Sequence, residues 1–102
     1  MTIIDSIREL RRHRPIDLVK MERLKQDAKW GEQNHCDLKW LSILAEEFGE
    51  VARAVTEDNP AKERLYSHEA LVENIEVELI QCAAVCVAWI ESIRRRKDIT
   101  EV

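Results

Sequence analysis

A chain of 102 residues is long enough for one hydrophobic core and too short for two, so residues 1–102 are expected to form a single domain. Charged residues make up 35% and hydrophobic residues 45%, with only two Gly and two Pro, which argues against a disordered chain and against a many-stranded sheet. The net charge of −4 argues against a broad nucleic-acid surface, so no nucleic-acid partner is expected.

The cysteines and the longest apolar run bear on the cellular setting. Cys36, Cys82 and Cys86 form no CxxC pair, and an odd number of cysteines without a signal peptide predicts a reducing, cytoplasmic environment. The run LIQCAAVCVAWI is too short to span a bilayer and carries an amide near its start, so no membrane partner is expected.

Two helices are predicted in the first part of the chain. The segment TIIDSIRELRRHR predicts a short helix capped by Thr2, with Pro15 ending it or starting the next. A second helix, from Ile16 to about Trp30, is indicated by apolar residues at helical spacing: Leu18, Met21, Leu24 and Ala28. The following WGEQNHCD combines Gly, Asn and Asp and predicts a loop.

Two longer helices follow. The third is predicted from Leu38 to about Glu57, with Asp37 as its N-cap. The segment EDNPAKERLYS contains the second Pro and breaks the pattern, after which Ser67 can cap a last helix running to about Arg96 or Lys97.

The third helix combines an apolar stripe with carboxylates. Glu47 and Glu50 are expected along one edge of the stripe, and Glu46 further round, toward solvent. A glycine inside a helix costs about 1 kcal/mol of stability relative to Ala. Close approach of a neighbouring backbone would explain why Gly49 is tolerated. The stripe consists of Leu41, Leu44, Phe48, Val51, Ala52 and Val55.

The last helix predicts association of chains. From Leu79 to Ile90 it is apolar nearly all round except at Gln81, and a helix without a polar face is a buried helix. A monomer of this length can hardly cover such a helix. We therefore predict an all-α fold, a bundle of about four helices completed by homo-oligomerisation into a homodimer or homotetramer.

The acidic residues form a repeated pattern. Glu47 and Glu50 are spaced i, i+3, and Glu78 and Gln81 repeat that spacing on the last helix. If the two helices pack antiparallel, three carboxylates and one amide oxygen converge. Salt bridges, a solvated face or a divalent cation could each accommodate such a group, and Mg²⁺, or Mn²⁺ in its place, prefers oxygen ligands.

Three segments resemble a known family. AEEFGEVARAV, ELIQCAAVCVAWIE and the upstream KWGEQNH are similar to segments of the MazG-like all-α nucleoside triphosphate pyrophosphohydrolases, especially the small single-domain members. That family carries ExxE on one helix and ExxD on the next, and these side chains hold Mg²⁺. The resemblance implies Glu47, Glu50, Glu78 and Gln81 as metal ligands. Gln81 stands where the family more often has Asp, so weaker binding of the cation is expected.

The resemblance also implies an activity. It predicts cleavage of a nucleoside triphosphate between its α and β phosphates, giving a nucleoside monophosphate and pyrophosphate, consistent with cleaning of the deoxynucleotide pool. Glu46 and Glu47 are the expected catalytic residues, with Glu46 orienting or deprotonating the water.

The KWGEQNH segment is the expected site of base recognition. Trp30 offers a surface for stacking a base, and Gln33, Asn34 and His35 offer hydrogen-bonding groups for a base edge or sugar hydroxyl. Structural roles for two of these residues stay open: Trp30 could close the end of a helix, and His35 could cap the following one.

Two alternative functions remain. Enzymes of the same fold hydrolyse dUTP or phosphoribosyl-ATP, and the acidic motif does not distinguish them. A non-catalytic helical interaction module, whose acidic residues form salt bridges, is the alternative from a different class.

Overall fold

The structure, a computed structural model, describes the backbone of residues 8, 11–56 and 68–101, and in the last helix the side chains of residues 74–97. All regular structure in this described part is α-helical, which confirms the all-α class. It consists of α1 (Pro15–Trp30), α2 (Asp37–Thr56) and α3 (His68–Glu101). None of the helices, within the described residues, is long and apolar enough to cross a membrane.

The predicted helices are found where the structure describes them, but Asp37 is the first residue of α2 and not its N-cap, since the N–H of Trp40 donates to the carbonyl of Cys36 at 3.1 Å. α1 begins one residue before the predicted Ile16, residues 31–36 form the predicted loop, and α3 continues past the predicted end to Glu101. The expected caps Thr2 and Ser67, the end of α2 at Glu57, and most of the first predicted helix lie outside the described residues.

The ends of α1 follow from two residues with unusual backbones. Pro15 stands in the first turn, where its fixed φ suits a helix and its missing N–H costs no hydrogen bond. Gly31 ends the helix with φ +71°, a conformation that L side chains rarely adopt, and its N–H donates to the carbonyl of Asp27 at 2.8 Å. Glycine at this position therefore sets the direction in which the 31–36 loop leaves α1.

α3 is the central helix, because α1 and α2 both pack mainly against it. Asp37 at the start of α2 reaches Trp89 and Arg96, whereas Glu47 further along α2 interacts with Glu78 near the start of α3. The residues that pair follow one another in opposite directions along the two helices, so α2 and α3 are antiparallel.

The core lies where α2 crosses the middle of α3. Trp40 is 2% exposed and packs with Val85 and Ala88, and Ile43, Leu44 and Trp89 surround them. Three of the four buried residues described in α3 are small and spaced by four, so they lie on one face and let the neighbouring helices approach closely: Ala84, Ala88 and Ser92. Trp40 is therefore a packing residue of the core.

α2 carries two apolar stripes, and the structure buries the one that the sequence did not single out. The inner seam faces α3 and contains Trp40, Ile43, Glu47, Val51 and Ala54. The predicted stripe is largely exposed, with Leu41 at 53% and Phe48 at 65%. Both stripes have helical spacing, so periodicity alone could not decide which one meets α3. Of the predicted stripe, Leu44 and Val51 are half-buried and Leu44 packs against the core, whereas the other members are exposed.

Two observations define the packing of α2 and α1 in the described part of the chain. Apart from Gly49's own chain neighbours and helix backbone, no described atom lies within 4 Å of the position that a Cβ on Gly49 would occupy, so the described chain does not supply the close backbone approach that would explain this glycine. In α1 only Leu18 of the predicted apolar pattern is buried, while Met21 is 47% and Leu24 is 70% exposed. The face that α1 turns toward α3 includes polar residues instead, among them Glu22, which is half-buried.

Candidate functional site

Glu47 is the central residue of the candidate site. It lies on the inner seam of α2, between Ile43 and Ala54 along the helix, at a position where a helix interface would ordinarily carry an apolar side chain. The side chain is half-buried, so its carboxylate has lost part of its hydration. The edge of the apolar stripe on which Glu47 was expected is the edge that faces α3.

The surroundings of Glu47 are strongly acidic. Burial raises the pKa of Glu47 first, and the negative charges of other carboxylates raise it further. In order of decreasing effect these are Glu78, Glu50, Glu22 and Glu46. Repulsion between like charges in a partly dehydrated place is unfavourable unless a proton or a cation compensates it.

The antiparallel packing brings the two acidic motifs together, as expected. Glu78 and Gln81 are half-buried on α3, whereas Glu50 is exposed on α2. Cys82 lies beside them: burial raises the pKa of its thiol, with further contributions from Cys86 and Glu47. Among the described residues, no three Asp, Glu, His or Cys side chains already form a group that could hold a metal ion. The carboxylates therefore face one another without surrounding a common point.

The donor types nevertheless suit a hard divalent cation. Carboxylate and amide oxygens are the ligands that Mg²⁺ prefers, and it keeps several waters, so few protein ligands suffice. None of the ion pairs between described residues involves Glu47, Glu50 or Glu78; they join Arg14 to Asp17, Arg23 to Asp27 and Glu91, Arg95 to Glu32, and Arg96 to Asp37. Salt bridges thus do not account for the acidic cluster in this part of the protein.

Sequence reasoning missed one member of the cluster. Glu22 of α1 acts on the Glu47 carboxyl more strongly than Glu46 does, although Glu46 is next to Glu47 in sequence. Glu22 stands four residues after Leu18, the one buried apolar residue of α1, and so shares its face. That spacing was the available signal, but it became informative only once Leu18 was known to be the residue that meets α3.

Two open cavities meet at Glu47. The first, about 260 Å³, has two lysines on its α1 side; we call it the lysine cavity. The second, about 240 Å³, lies toward the core and is called the apolar cavity. Both are bordered by Glu47, Trp30 and Gln26. The lysine cavity adds Glu22, Lys25, Lys29 and Gln81, and the apolar cavity adds Gln33, Trp40, Ile43, Val85 and Ala88.

The structure divides the four residues expected to recognise a base. Trp30 is 55% exposed at a wall of both cavities, so it is not a core residue of this chain, and Lys29 Nζ lies 4.8 Å from its ring centroid. Gln33 lines the apolar cavity. Asn34 and His35 instead make contacts of their own: the Asn34 amide donates to Glu32 at 2.9 Å, and the His35 ring meets Trp40 edge-on at 5.0 Å.

No known family model, curated protein or solved structure matches this chain. The resemblance of KWGEQNH, AEEFGEVARAV and ELIQCAAVCVAWIE to MazG-like enzymes therefore stays a prediction from the sequence. The clustering of Glu47, Glu78 and Gln81 is a separate observation on some of the same residues.

Glu47 predicts a pH-dependent loss of stability. Because its pKa is raised above the ordinary value of 4.5, the folded chain holds the proton more tightly than the unfolded chain. Stability then falls as pH rises from 4.5 through the folded pKa and stays lower at neutral pH. We expect Glu47→Gln to raise the urea midpoint at pH 7 in EDTA, and the gain to shrink as the pH approaches 4.5.

Glu46→Gln is the matched control, because Glu46 is exposed and on the adjacent position of the same helix. It should change the midpoint little at either pH. A gain for Glu47→Gln that is equally large at both pH values would contradict the electrostatic origin of the effect.

Proposed function

We propose that this chain is a Mg²⁺-dependent nucleoside triphosphate pyrophosphohydrolase of the MazG-like kind, which cleaves the bond between the α and β phosphates. One observation carries the proposal: a half-buried carboxylate, Glu47, stands in a helix interface among four other carboxylates. Such an arrangement destabilises a fold unless a cation is bound there, and a polyphosphate is a substrate that brings Mg²⁺ with it.

Glu47, Glu50 and Glu78 are the proposed metal ligands, with Gln81 as a weaker, neutral one. When bound, Mg²⁺ would neutralise phosphate charge and lower the pKa of a water. Glu22 adds a further carboxylate that sequence reasoning did not include. Glu46 remains a proposed residue for orienting water, although its exposed position makes Glu22 a second candidate for the same role.

The two cavities at Glu47 suit the two halves of a nucleotide. Lys25 and Lys29 lie one turn apart on α1 and border the lysine cavity together with Glu22 and Glu47, and there they can attract phosphate oxygens. The apolar cavity, with Trp40, Ile43 and Gln33 at its walls, suits a base held by apolar contact and one polar edge. Trp30 borders both, which places an aromatic surface at the junction.

The alternatives differ in what they require of these residues. A non-catalytic interaction module with acidic salt bridges lacks support, because the ion pairs between described residues leave Glu47 and Glu78 out. Hydrolysis of dUTP or of phosphoribosyl-ATP by the same fold would use the same carboxylates and a different fit in the apolar cavity. A deoxynucleoside triphosphate, and a role in cleaning the nucleotide pool, are the substrate class and role that the resemblance favours.

Self-association completes the proposed fold as a bundle of about four or more helices. The outer seam of α2 follows the alternating three- and four-residue spacing of a coiled coil, and all its members are exposed: Leu38, Leu41, Ala45, Phe48, Ala52 and Val55. Gly49 and the two alanines leave open space beside Phe48 for another helix. We propose a homodimer or homotetramer that uses this seam.

The activity is tested by incubating the purified protein with the common NTPs and dNTPs, in Mg²⁺ and in EDTA, and measuring pyrophosphate and monophosphate. We expect pyrophosphate only with divalent cation, and a loss on the order of 100-fold or more for Glu47→Gln. Asp17→Asn, which removes a carboxylate paired with Arg14 on the surface, is the control and should keep full activity. Equal activity in EDTA would refute the metal requirement.

Gln81→Asp tests the proposed ligand set. A carboxylate in place of the amide adds one negative charge beside Glu47, so the Mg²⁺ concentration for half-maximal activity should fall several-fold. The measurement is a Mg²⁺ titration of initial rates, with circular dichroism to confirm that the variant is folded. An unchanged Mg²⁺ dependence in a folded variant would remove Gln81 from the site.

Phe48→Glu tests the outer seam. A charge in the middle of an apolar helix contact should reduce the mass in solution from a multiple of 12.0 kDa to that of a single chain, measured by light scattering after gel filtration. Leu24→Glu is the control, since Leu24 is 70% exposed on α1, away from the seam. If both variants keep the wild-type mass, the seam is not the interface.

A further inference from the structure

The 31–36 loop is held in place by the C-terminal half of α3. Arg95 Nε donates to Asn34 Oδ1 at 2.8 Å, and Arg95 Nη2 donates to the carbonyl oxygen of Gln33 at 2.9 Å. Arg95 Nε also lies 3.3 Å from Glu32 Oε1. One guanidinium therefore binds three consecutive residues of the loop.

These contacts close into a ring. The second oxygen of Glu32 accepts a hydrogen bond from the Asn34 amide at 2.9 Å, so Glu32, Asn34 and Arg95 each contact the other two. Hydrogen bonds to charged groups are about twice as strong as neutral ones, and a planar guanidinium holds its partners at fixed angles. Both the oxygen and the nitrogen of the Asn34 side-chain amide therefore form hydrogen bonds within the ring.

A second attachment holds the far end of the loop. Asp37 Oδ1 accepts hydrogen bonds from Trp89 Nε1 at 2.9 Å and from Arg96 at 2.7 Å, and these two bonds lower the pKa of the Asp37 carboxyl. With Gly31 closing α1 at the other side, the loop is fixed at both ends. Arg95 is the contact that acts on its middle.

The loop position matters because of Gln33. Its backbone carbonyl is held by Arg95, and it borders both the apolar cavity and a third cavity of about 380 Å³ that Arg95 also lines. These two cavities share Gln26, Gln33, Trp40 and Ala88 in their walls, so they are adjacent. Moving the carbonyl of Gln33 would move the only loop residue shared by the two cavities, as the structure describes them.

We propose that Arg95 is a positioning residue: it holds the 31–36 loop so that Gln33 selects the nucleobase. The inference rests on the proposed function, since it assigns selectivity within the same site. Arg95 does not touch the phosphate end, because it lies neither at the lysine cavity nor among the groups that act on Glu47.

The test compares Arg95→Gln with Arg94→Gln, an exposed neighbouring arginine of α3. In Arg95→Gln we expect KM for the best nucleotide to rise about tenfold, equivalent to about 1.4 kcal/mol, with kcat nearly unchanged. The ratio of kcat/KM between the best and second-best nucleotides should fall toward one. Arg95→Lys keeps the positive charge but loses the planar guanidinium with its several donors, so its KM should lie between those of wild type and Arg95→Gln.

Tripolyphosphate separates selectivity from general damage. It has no base, so its inhibition constant should be the same for wild type, Arg94→Gln and Arg95→Gln. An equal loss of affinity for all nucleotides and for tripolyphosphate, or no change in KM, would overturn the proposal.

The NMR signals of the Asn34 side-chain amide show whether the ring of Glu32, Asn34 and Arg95 is formed, and this measurement does not require enzymatic activity. The signals should move toward those of a free amide in Arg95→Gln and stay in place in Arg94→Gln; unmoved signals would overturn the loop attachment. If the wild type releases no pyrophosphate, the proposed function fails and base selection fails with it, while the amide signals still decide whether Arg95 holds the loop.

Discussion

The arrangement of this protein depends on covering α3. The middle of this helix has almost no polar face, and three of its buried residues, Ala84, Ala88 and Ser92, are small and allow close packing of the neighbouring helices. Trp40 supplies the volume from α2, and Leu18 anchors α1. Because α1 and α2 meet mainly through α3, the relative position of their side chains is set by where each helix docks along it.

The candidate site lies in this interface, and its negative charges make the helix packing less favourable. Glu47 takes a place on the inner seam that an apolar residue would stabilise, and the neighbouring carboxylates make its ionised form still less favourable. Local choices that conflict with the fold are typical of functional positions, since a structural role alone would favour removing them. The half-buried Glu47 is therefore an observation that supports the proposed cation site.

Charged side chains also fix the arrangement where the start of α2 meets the C-terminal half of α3. Arg95 and Arg96 lie near the C-terminal end of α3, where Arg95 binds the 31–36 loop and Arg96 binds the start of α2. Exposed ion pairs contribute little to stability, on the order of 0–1 kcal/mol each. Their consequence here is geometric, because they fix the segment that carries Gln33 next to the apolar cavity. The carboxylates and the loop are thus positioned by opposite ends of the same helix.

The sequence by itself determined the helices and the acidic pattern. Periodicity, Pro15 and Gly31 define where the described helices run, and the i, i+3 spacing put Glu47 with Glu50 and Glu78 with Gln81, because both are local properties of the chain. Apolar periodicity did not decide which stripe of α2 is buried, since both have the same period.

Only the tertiary structure decided which face meets α3, and the rest of the site follows from that choice. It turned Glu47 inward, added Glu22 from α1, and left Phe48 exposed. It also separated Gln33, which lines a cavity, from Asn34, which binds Arg95 far along the chain. Contacts between residues distant in sequence depend on how helices dock, and no spacing within a single helix contains that information.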